Sequence, residues 1–408
     1  MPAVFITYSL AYLDRANYGF GAAAGLADKL QITPSRSALL GSLFFLGYFL
    51  FQVPGAAYAR NRSAKRLVFW ALIAWGALGA LTGILENFWL LAVDRLLLGA
   101  AESLILPTML VLLTDWFTRS ERSRANTFLI LGNPVTVLWM SAVTGYLIQA
   151  VGWQMSFVLE GVPSIIWAFF WIRLVDDGPE KAAWMDRKDC TALSAELARE
   201  QSDLPPVTRT LDALLNPKVL LLSLQFFLWS VGVYGFVLWL PTIIQAGAAR
   251  GIGITGLLSA VPYLLAVVLM IAVSHFSDKT RERKHFVWPF LLIAGIAFFC
   301  SYVTVGHSFW LAYVFLIIGG GGMYAPYGPF FACVPEMLPR NVAGQAMAFI
   351  NSFGALGAFV GAWFVGVLQA HTHGSAASFL AIAASLAGSA VLMFALPTRS
   401  RSNTVHAG

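Results

Sequence analysis

The chain has 408 residues, of which 58% are hydrophobic and only 11% charged, where a soluble domain carries about 25% charged residues. That composition excludes an ordinary soluble fold and predicts a membrane protein. A net charge of +6 raises the question of a nucleic-acid partner, but the placement of the basic residues has another cause, and none is expected.

Apolar stretches of about 20 residues, the length that crosses a bilayer's hydrocarbon core, recur with short polar punctuation. In chain order they cover 3–24, 37–59, 67–86, 88–115, 124–150 and 154–175, then 218–246, 253–276, 286–305, 309–335, 343–370 and 375–396. They predict an all-α polytopic membrane protein: twelve transmembrane helices in two pseudo-symmetric six-helix bundles, 1–175 and 217–398, with a tail at 399–408. The linker, 176–216, contains "DDGPEKAAWMDRKD" and "CTALSAELAREQSDLPP". It favours a short surface helix ended by Pro205 and Pro206, and at about 40 residues without disulfide or metal it is too small for a domain. The first apolar segment is long, has no basic leader and contains an Asp-Arg pair, so it reads as helix one rather than a cleavable signal. With so little polar sequence before it, Met1 reads as a trimmed or late start.

Of the 26 Lys and Arg residues, Arg15 and Arg95 lie within helices, and Lys29, Arg36 and Arg250 in loops after helices one and seven. The rest fall on one side, among them "RNRSAKR" (60–66), "TRSERSR" (118–124) and "SDKTRERK" (277–284). The positive-inside rule makes that side cytoplasmic, with both termini there. Cys190, Cys300 and Cys333 show no paired spacing or metal motif, so no disulfide and no metal is expected. His275, His307, His371 and His373 lack ligand spacing with acids or cysteines.

The halves repeat at a shift of about 218 residues, which superposes helix number and loop charge and puts Arg122 on Arg340, Ala125 on Ala343 and Asn133 on Asn351, as parallel repeats do. The repeat fails where charge is buried: Asp14 and Arg15 fall on Gly232 and Val233, and Glu102 on Gly320. Intramembrane ionisable groups belong to the first half.

Helix one carries "YLDRANYGF" and helix four "DRLLLGAAESLILP" (94–107), followed by "WFTRSERSRA" (116–125); the second half carries "YGFVLWLPTII" (234–244), "GGMYAPYGPFFACVPEMLP" (321–339) and "AGQAMAFINSFGALGAFVG" (343–361). With six plus six helices and basic clusters after helices two and eight, the chain resembles the major facilitator superfamily. The motifs are similar to those of its anion:cation symporter family, in particular bacterial sugar-acid (hexonate, galactonate-type) proton symporters. "RNRSAKR" departs from that family's Gly- and Asp-containing loop.

Charged residues at a helix centre cost about 2.5–3.5 kcal/mol each on insertion scales, which makes them functional candidates by default. Asp14 and Arg15 read either as a structural ion pair or as a proton carrier beside a carboxylate receptor; the resemblance implies the second. Glu102 lies among Leu, Ile and Ala. Desolvation disfavours an ionised carboxylate, which suits a group that takes up and releases protons, and the resemblance makes Glu102 the coupling acid that also contacts substrate. Arg95, seven residues before Glu102, shares its helix face; tuning Glu102, attracting anions and pairing with Asp94 all remain open to it.

Tyr12, Tyr48, Asn133, Tyr327, Asn351 and Ser352, with Gln225, Tyr234 and Tyr324 behind them, are partners for a polyol's hydroxyls, or packing residues. The resemblance favours Tyr12, Tyr48, Asn133 and Asn351. In "GGGGMYAPYGP" (319–329), Pro326 and Pro329 predict a kink or hinge. Asp278 with Arg281 and Arg283 keeps the family's charged gate pattern, and Glu160 and Glu336 are expected to pair with such loops or helix ends.

The resemblance therefore implies a monomeric symporter of the bacterial cell inner membrane that imports a sugar-acid anion by alternating access, with protons as coupling ion and no cofactor. The alternatives are another organic anion, aromatic, sugar-derived or dicarboxylic, and a nutrient sensor that does not transport. The case for a membrane enzyme is weak, for want of a His or Cys constellation and of a nucleotide loop.

Overall fold

The computed structural model describes residues 1–61, 63–182, 184–202, 215–280, 282–337, 340–372 and 376–396. The first half runs α1 (Pro2–Ala23), a four-residue α2 (Leu26–Lys29), α3 (Pro34–Asn61), α4 (Ala64–Thr82), α5 (Phe88–Ser103), α6 (Ile105–Trp116) and α7 (Arg119–Leu174). After α8 (Arg187–Ser202) come α9 (Pro217–Ala248), α10 (Ile252–Thr280), α11 (Trp288–Val305), α12 (Phe309–Tyr324), α13 (Tyr327–Met337), α14 (Arg340–Thr372) and α15 (Ala376–Ala395). Counting α5 with α6 and α12 with α13 as single interrupted rods, and α7 as two, the spanning helices number twelve.

The element boundaries have local causes. Side chains cap helix starts: Ser63 accepts from the Arg66 amide, Asn87 from Trp89 and Leu90, and Asn216 from Lys218. The third span ends at Thr82 rather than 86, because Gly83 closes α4 before Asn87 opens α5. Gly152, at φ 81, bends α7 between its two spans, a conformation open to glycine and strained for other residues. Helix four is broken where no break is expected from hydropathy: Pro107 has no N–H for the Ser103 carbonyl, and the rod is interrupted at Leu104. Pro326 and Pro329 similarly separate α12 from α13, at the expected hinge.

Among the described residues, nine segments are long and apolar enough to cross a bilayer, and the 47-residue segment Phe128–Leu174 holds two spans. Large apolar side chains such as Trp70, Trp89, Phe170, Val268 and Phe394 are exposed on the outside, as lipid-facing residues are. The halves meet through α1 with α9, α3 with α14, and α7 with α10.

Beside α8, the linker is fastened to the first half. Lys65 makes an ion pair with Asp176 at 2.9 Å and donates its amide to Asp177. The indoles of Trp116 and Trp171 donate to the carbonyls of Asp176 and Lys65.

Candidate functional site

Along α1, Tyr8, Tyr12 and Arg15 follow at helical spacing and share one face. All three are buried. From α5, Glu102 stands one residue before the helix ends, at the interruption caused by Pro107. The Arg15 Nε donates to Glu102 Oε1 at 2.8 Å, with the two side chains 7% and 1% exposed. Each isolated charge would be costly in an apolar interior, and the pair offsets much of that cost.

The walls of this pair are aromatic. The Arg15 guanidinium carbon lies 4.3 Å from the Tyr12 ring centre and 4.7 Å from that of Tyr48, with Phe44 at 5.7 Å. Cation–π contacts of this kind stabilise a desolvated guanidinium. Tyr48 and Phe44 come within reach because α3 and α5 nearly touch: a Cβ at Gly99 would sit 1.8 Å from the Phe44 carbonyl oxygen, and one at Gly47 2.0 Å from that of Leu96. Any larger residue at either position would push the helices apart.

Two features leave the pair chemically open. Among the described residues Glu102 Oε2 is buried without a hydrogen-bond partner. Arg15 engages Glu102 through Nε and also hydrogen-bonds with the Tyr48 side chain, so only part of its five-donor fork is used. Its terminal nitrogens can therefore meet a further acceptor, and a carboxylate matches that fork.

Arg95 and Asp94 do not pair in the simple way. Asp94 accepts from Thr82 at 2.7 Å, while the Arg95 guanidinium sits 5.0 Å from the Tyr18 ring and 5.4 Å from that of Phe44. Phe44 is thus shared by Arg15 and Arg95.

The neutral residues divide. Tyr234 packs its ring 4.5 Å from that of Phe45 across the halves, and Tyr234, Tyr324 and Tyr327 lie close enough to Arg15 to interact with it electrostatically. Tyr327 stacks on Tyr324 at 5.6 Å and lies 4.5 Å from Trp229. Asn133 is buried with its Oδ1 unpartnered among the described residues. Asn351 is partly exposed, and the adjacent Ser352 donates to Gln52 at 3.3 Å, a bond between α14 and α3. The Gln225 amide nitrogen donates to Ser389 on α15 at 2.9 Å, while its Oε1 is buried without a partner among the described residues.

Tyr8, Phe44 and Gln52 are missed by the sequence reading, although Tyr8 precedes Tyr12, and Gln52 follows Tyr48, by one helical turn. Glu160 corrects an expectation. It is buried, bonded to Asn17 on α1 and to Thr144 at 2.7 Å, and pairs with no loop or helix end among the described residues. Asp278 does pair with Arg283. The side chains of Asp14 and Glu336, all of Arg281, and the tail 399–408 lie outside the described residues.

Twelve spanning helices around a buried guanidinium define a multi-pass membrane protein. The sequence model of the Major Facilitator Superfamily matches residues 4–362, and the chain belongs to that family. It is 29% identical to a putative tartrate transporter of Agrobacterium vitis, over 98% of this chain and 90% of that protein. It is 22% identical to the hexuronate transporter of Bacillus subtilis, over 97% and 93%. The inward-open xylose transporter XylE of E. coli superposes with a TM-score of 0.77, covering 98% of this chain and 97% of that one at 12% identity, a likeness of fold alone.

Proposed function

We propose that the protein is a proton-coupled symporter that imports a sugar-acid anion, a hexonate such as galactonate, across the bacterial inner membrane. The observation that carries this reading is the Arg15–Glu102 bond, made through one guanidinium nitrogen inside an aromatic cage. While Glu102 is ionised it holds Arg15. A proton on Glu102 removes that charge and releases Arg15 to a substrate carboxylate. Where the proton leaves, Glu102 reclaims Arg15 and the anion is displaced. Asp14, one residue away on α1, is the second proton carrier of the proposal. Tyr12, Tyr48, Asn133, Tyr327, Asn351 and Ser352 serve the sugar hydroxyls, with Arg95, Tyr234 and Tyr324 behind them.

In this reading a single chain suffices. Residues 1–175 and 217–398 rock about the site, with the linker 176–216 and both termini on the cytoplasmic side. One proton per monovalent anion is electroneutral, so the membrane potential, worth about 2.3 kcal/mol per charge per 100 mV, assists only with two or more. The hexuronate relative supports a sugar acid, and the tartrate relative favours a hydroxy-dicarboxylate as the second reading.

Uptake of labelled hexonates, hexuronates, tartrate and aromatic acids into proteoliposomes, with and without a pH gradient, tests the proposal. Accumulation of a hexonate driven by an acidic outside supports it. Accumulation of tartrate alone selects the second reading, and uptake indifferent to the pH gradient contradicts proton coupling.

A further inference from the structure

A second buried carboxylate lies outside the Arg15–Glu102 site. Glu160, in the second span of α7, is 5% exposed. Asn17 Nδ2 donates to its Oε2, and Thr144 Oγ1 lies 2.7 Å from its Oε1 and 3.3 Å from Asn17 Oδ1. Three side chains, from α1 and from both spans of α7, thus form a closed ring of polar contacts.

The ring can be checked proton by proton. With Glu160 ionised, the Thr144 hydroxyl can donate to only one of its two oxygen neighbours, so the longer 3.3 Å contact leaves Asn17 Oδ1 without that donor while the negative charge stays buried. With Glu160 protonated every contact has a donor: Glu160 to Thr144, Thr144 to Asn17 Oδ1, and Asn17 Nδ2 back to Glu160. Turning the Asn17 amide over reverses the direction of the ring and again demands the proton on Glu160. Buried polar groups are satisfied as a rule, and a half-satisfied network is costly.

Among the described residues no compensating charge is paired with Glu160: no Lys, Arg or His forms an ion pair with it. On α1, Arg15 holds Glu102, Tyr8 donates to Tyr12, Tyr18 donates to the Ser37 carbonyl, and the Asp14 side chain lies outside the described residues. On α4, which packs against α7, Lys65 holds Asp176 and residues 67–82 contain no ionisable group, Arg66 standing in the first turn. On α7 itself Arg173 donates to the Phe169 carbonyl and Tyr146 is exposed. Behind α1 and α7, α5 and α6 bring Asp94, Arg95 and Asp115; α9 brings Lys218 and Tyr234; α10 brings Tyr263, His275, Asp278 and Lys279.

We propose that Glu160, Thr144 and Asn17 form a proton-binding site, separate from the Arg15–Glu102 pair, that holds one proton in the conformation described here. The assignment does not depend on the symport reading. A glutamine could close the same ring as hydrogen bonds alone; what the acid adds is a proton that can leave, and its departure would loosen α1, which carries Arg15, from α7.

Infrared difference spectra of the full chain in lipid, recorded across pH and after exchange into heavy water, test this. At neutral pH the wild type is expected to show a protonated-carboxyl carbonyl band that is absent from E160Q and present in both D14N and E102Q. T144V provides an independent readout, since removing the hydroxyl must move the same band. In thermal unfolding E160Q should melt with the wild type and E160A several degrees below it. The site is overturned if E160Q and wild-type spectra coincide, if T144V leaves the band unmoved, or if E160Q melts as low as E160A. It is likewise overturned if sodium chloride, but not choline chloride, abolishes the band at constant pH, which would make the ring a sodium site.

Discussion

The two halves of the molecule solve the same packing problem with opposite chemistry. In the first, Arg15, Glu102, Asp94, Arg95 and Glu160 are all buried. In the second, the corresponding interior is aromatic: Phe226, Trp229, Tyr324, Tyr327 and Phe330 contact one another in a chain of stacked and edge-on rings. At Gly320, the repeat partner of Glu102, an added Cβ would lie 2.8 Å from the Phe236 ring and 2.9 Å from Pro262. The second half has closed the space in which the first holds its acid. The contrast teaches that, among the described residues, buried charge is concentrated in the first half, while the second half offers neutral surface and hydroxyls.

The comparison breaks most sharply at Arg15. R15A is expected to reduce substrate affinity at least 10-fold, since a hydrogen bond to a charged group contributes about 1.5–3 kcal/mol, and to leave Glu102 as an uncompensated buried acid; R15K, lacking the planar fork, should recover part of the affinity at best. Equilibrium binding to the purified variants measures both. E102Q is next: it is expected to lose uptake driven by a pH gradient while retaining exchange of internal for external substrate, read in paired proteoliposome assays.

A third substitution tests the closed half. G320A adds a methyl group where there is no room for one, and an overpacked core costs about 1–3 kcal/mol, so its melting temperature should fall while a G322A control, whose Cβ meets only ordinary contacts starting at 3.5 Å, changes little. The smallest effects belong to the neutral residues. Y327F should weaken hexonate binding by roughly 2- to 10-fold, the equivalent of one neutral hydrogen bond at about 0.5–1.5 kcal/mol. Q225A, whose partner is Ser389 rather than the site, should leave affinity unchanged.

Much of this was legible in the sequence because membrane segments obey a coarse rule. Twenty apolar residues and flanking basic clusters locate helices without knowledge of their packing, and the isolated charges at 15 and 102 stand out against that background. The partner of Arg15 was not legible: its sequence neighbour is Asp14, whereas the bond to Glu102 spans two helices brought together by the glycine contacts of α3 and α5. The same limit hid the Glu160 ring, whose members come from residues 17, 144 and 160. Gln225 shows the converse: a polar residue on an apolar helix can serve a neighbouring helix, as its bond to Ser389 does, as readily as a ligand. The interruption at Leu104 was readable in principle from Pro107, but hydropathy is blind to a missing backbone donor.

The central claim is that Glu102 and the substrate compete for Arg15, with a proton deciding between them. Proton uptake on binding, measured by calorimetry in buffers of different ionisation enthalpy, addresses it directly. The account predicts that E102Q binds the hexonate at neutral pH at least as tightly as the wild type and takes up about one proton fewer per substrate. Equal proton uptake by the two proteins, or loss of binding in E102Q with Arg15 intact, would contradict it.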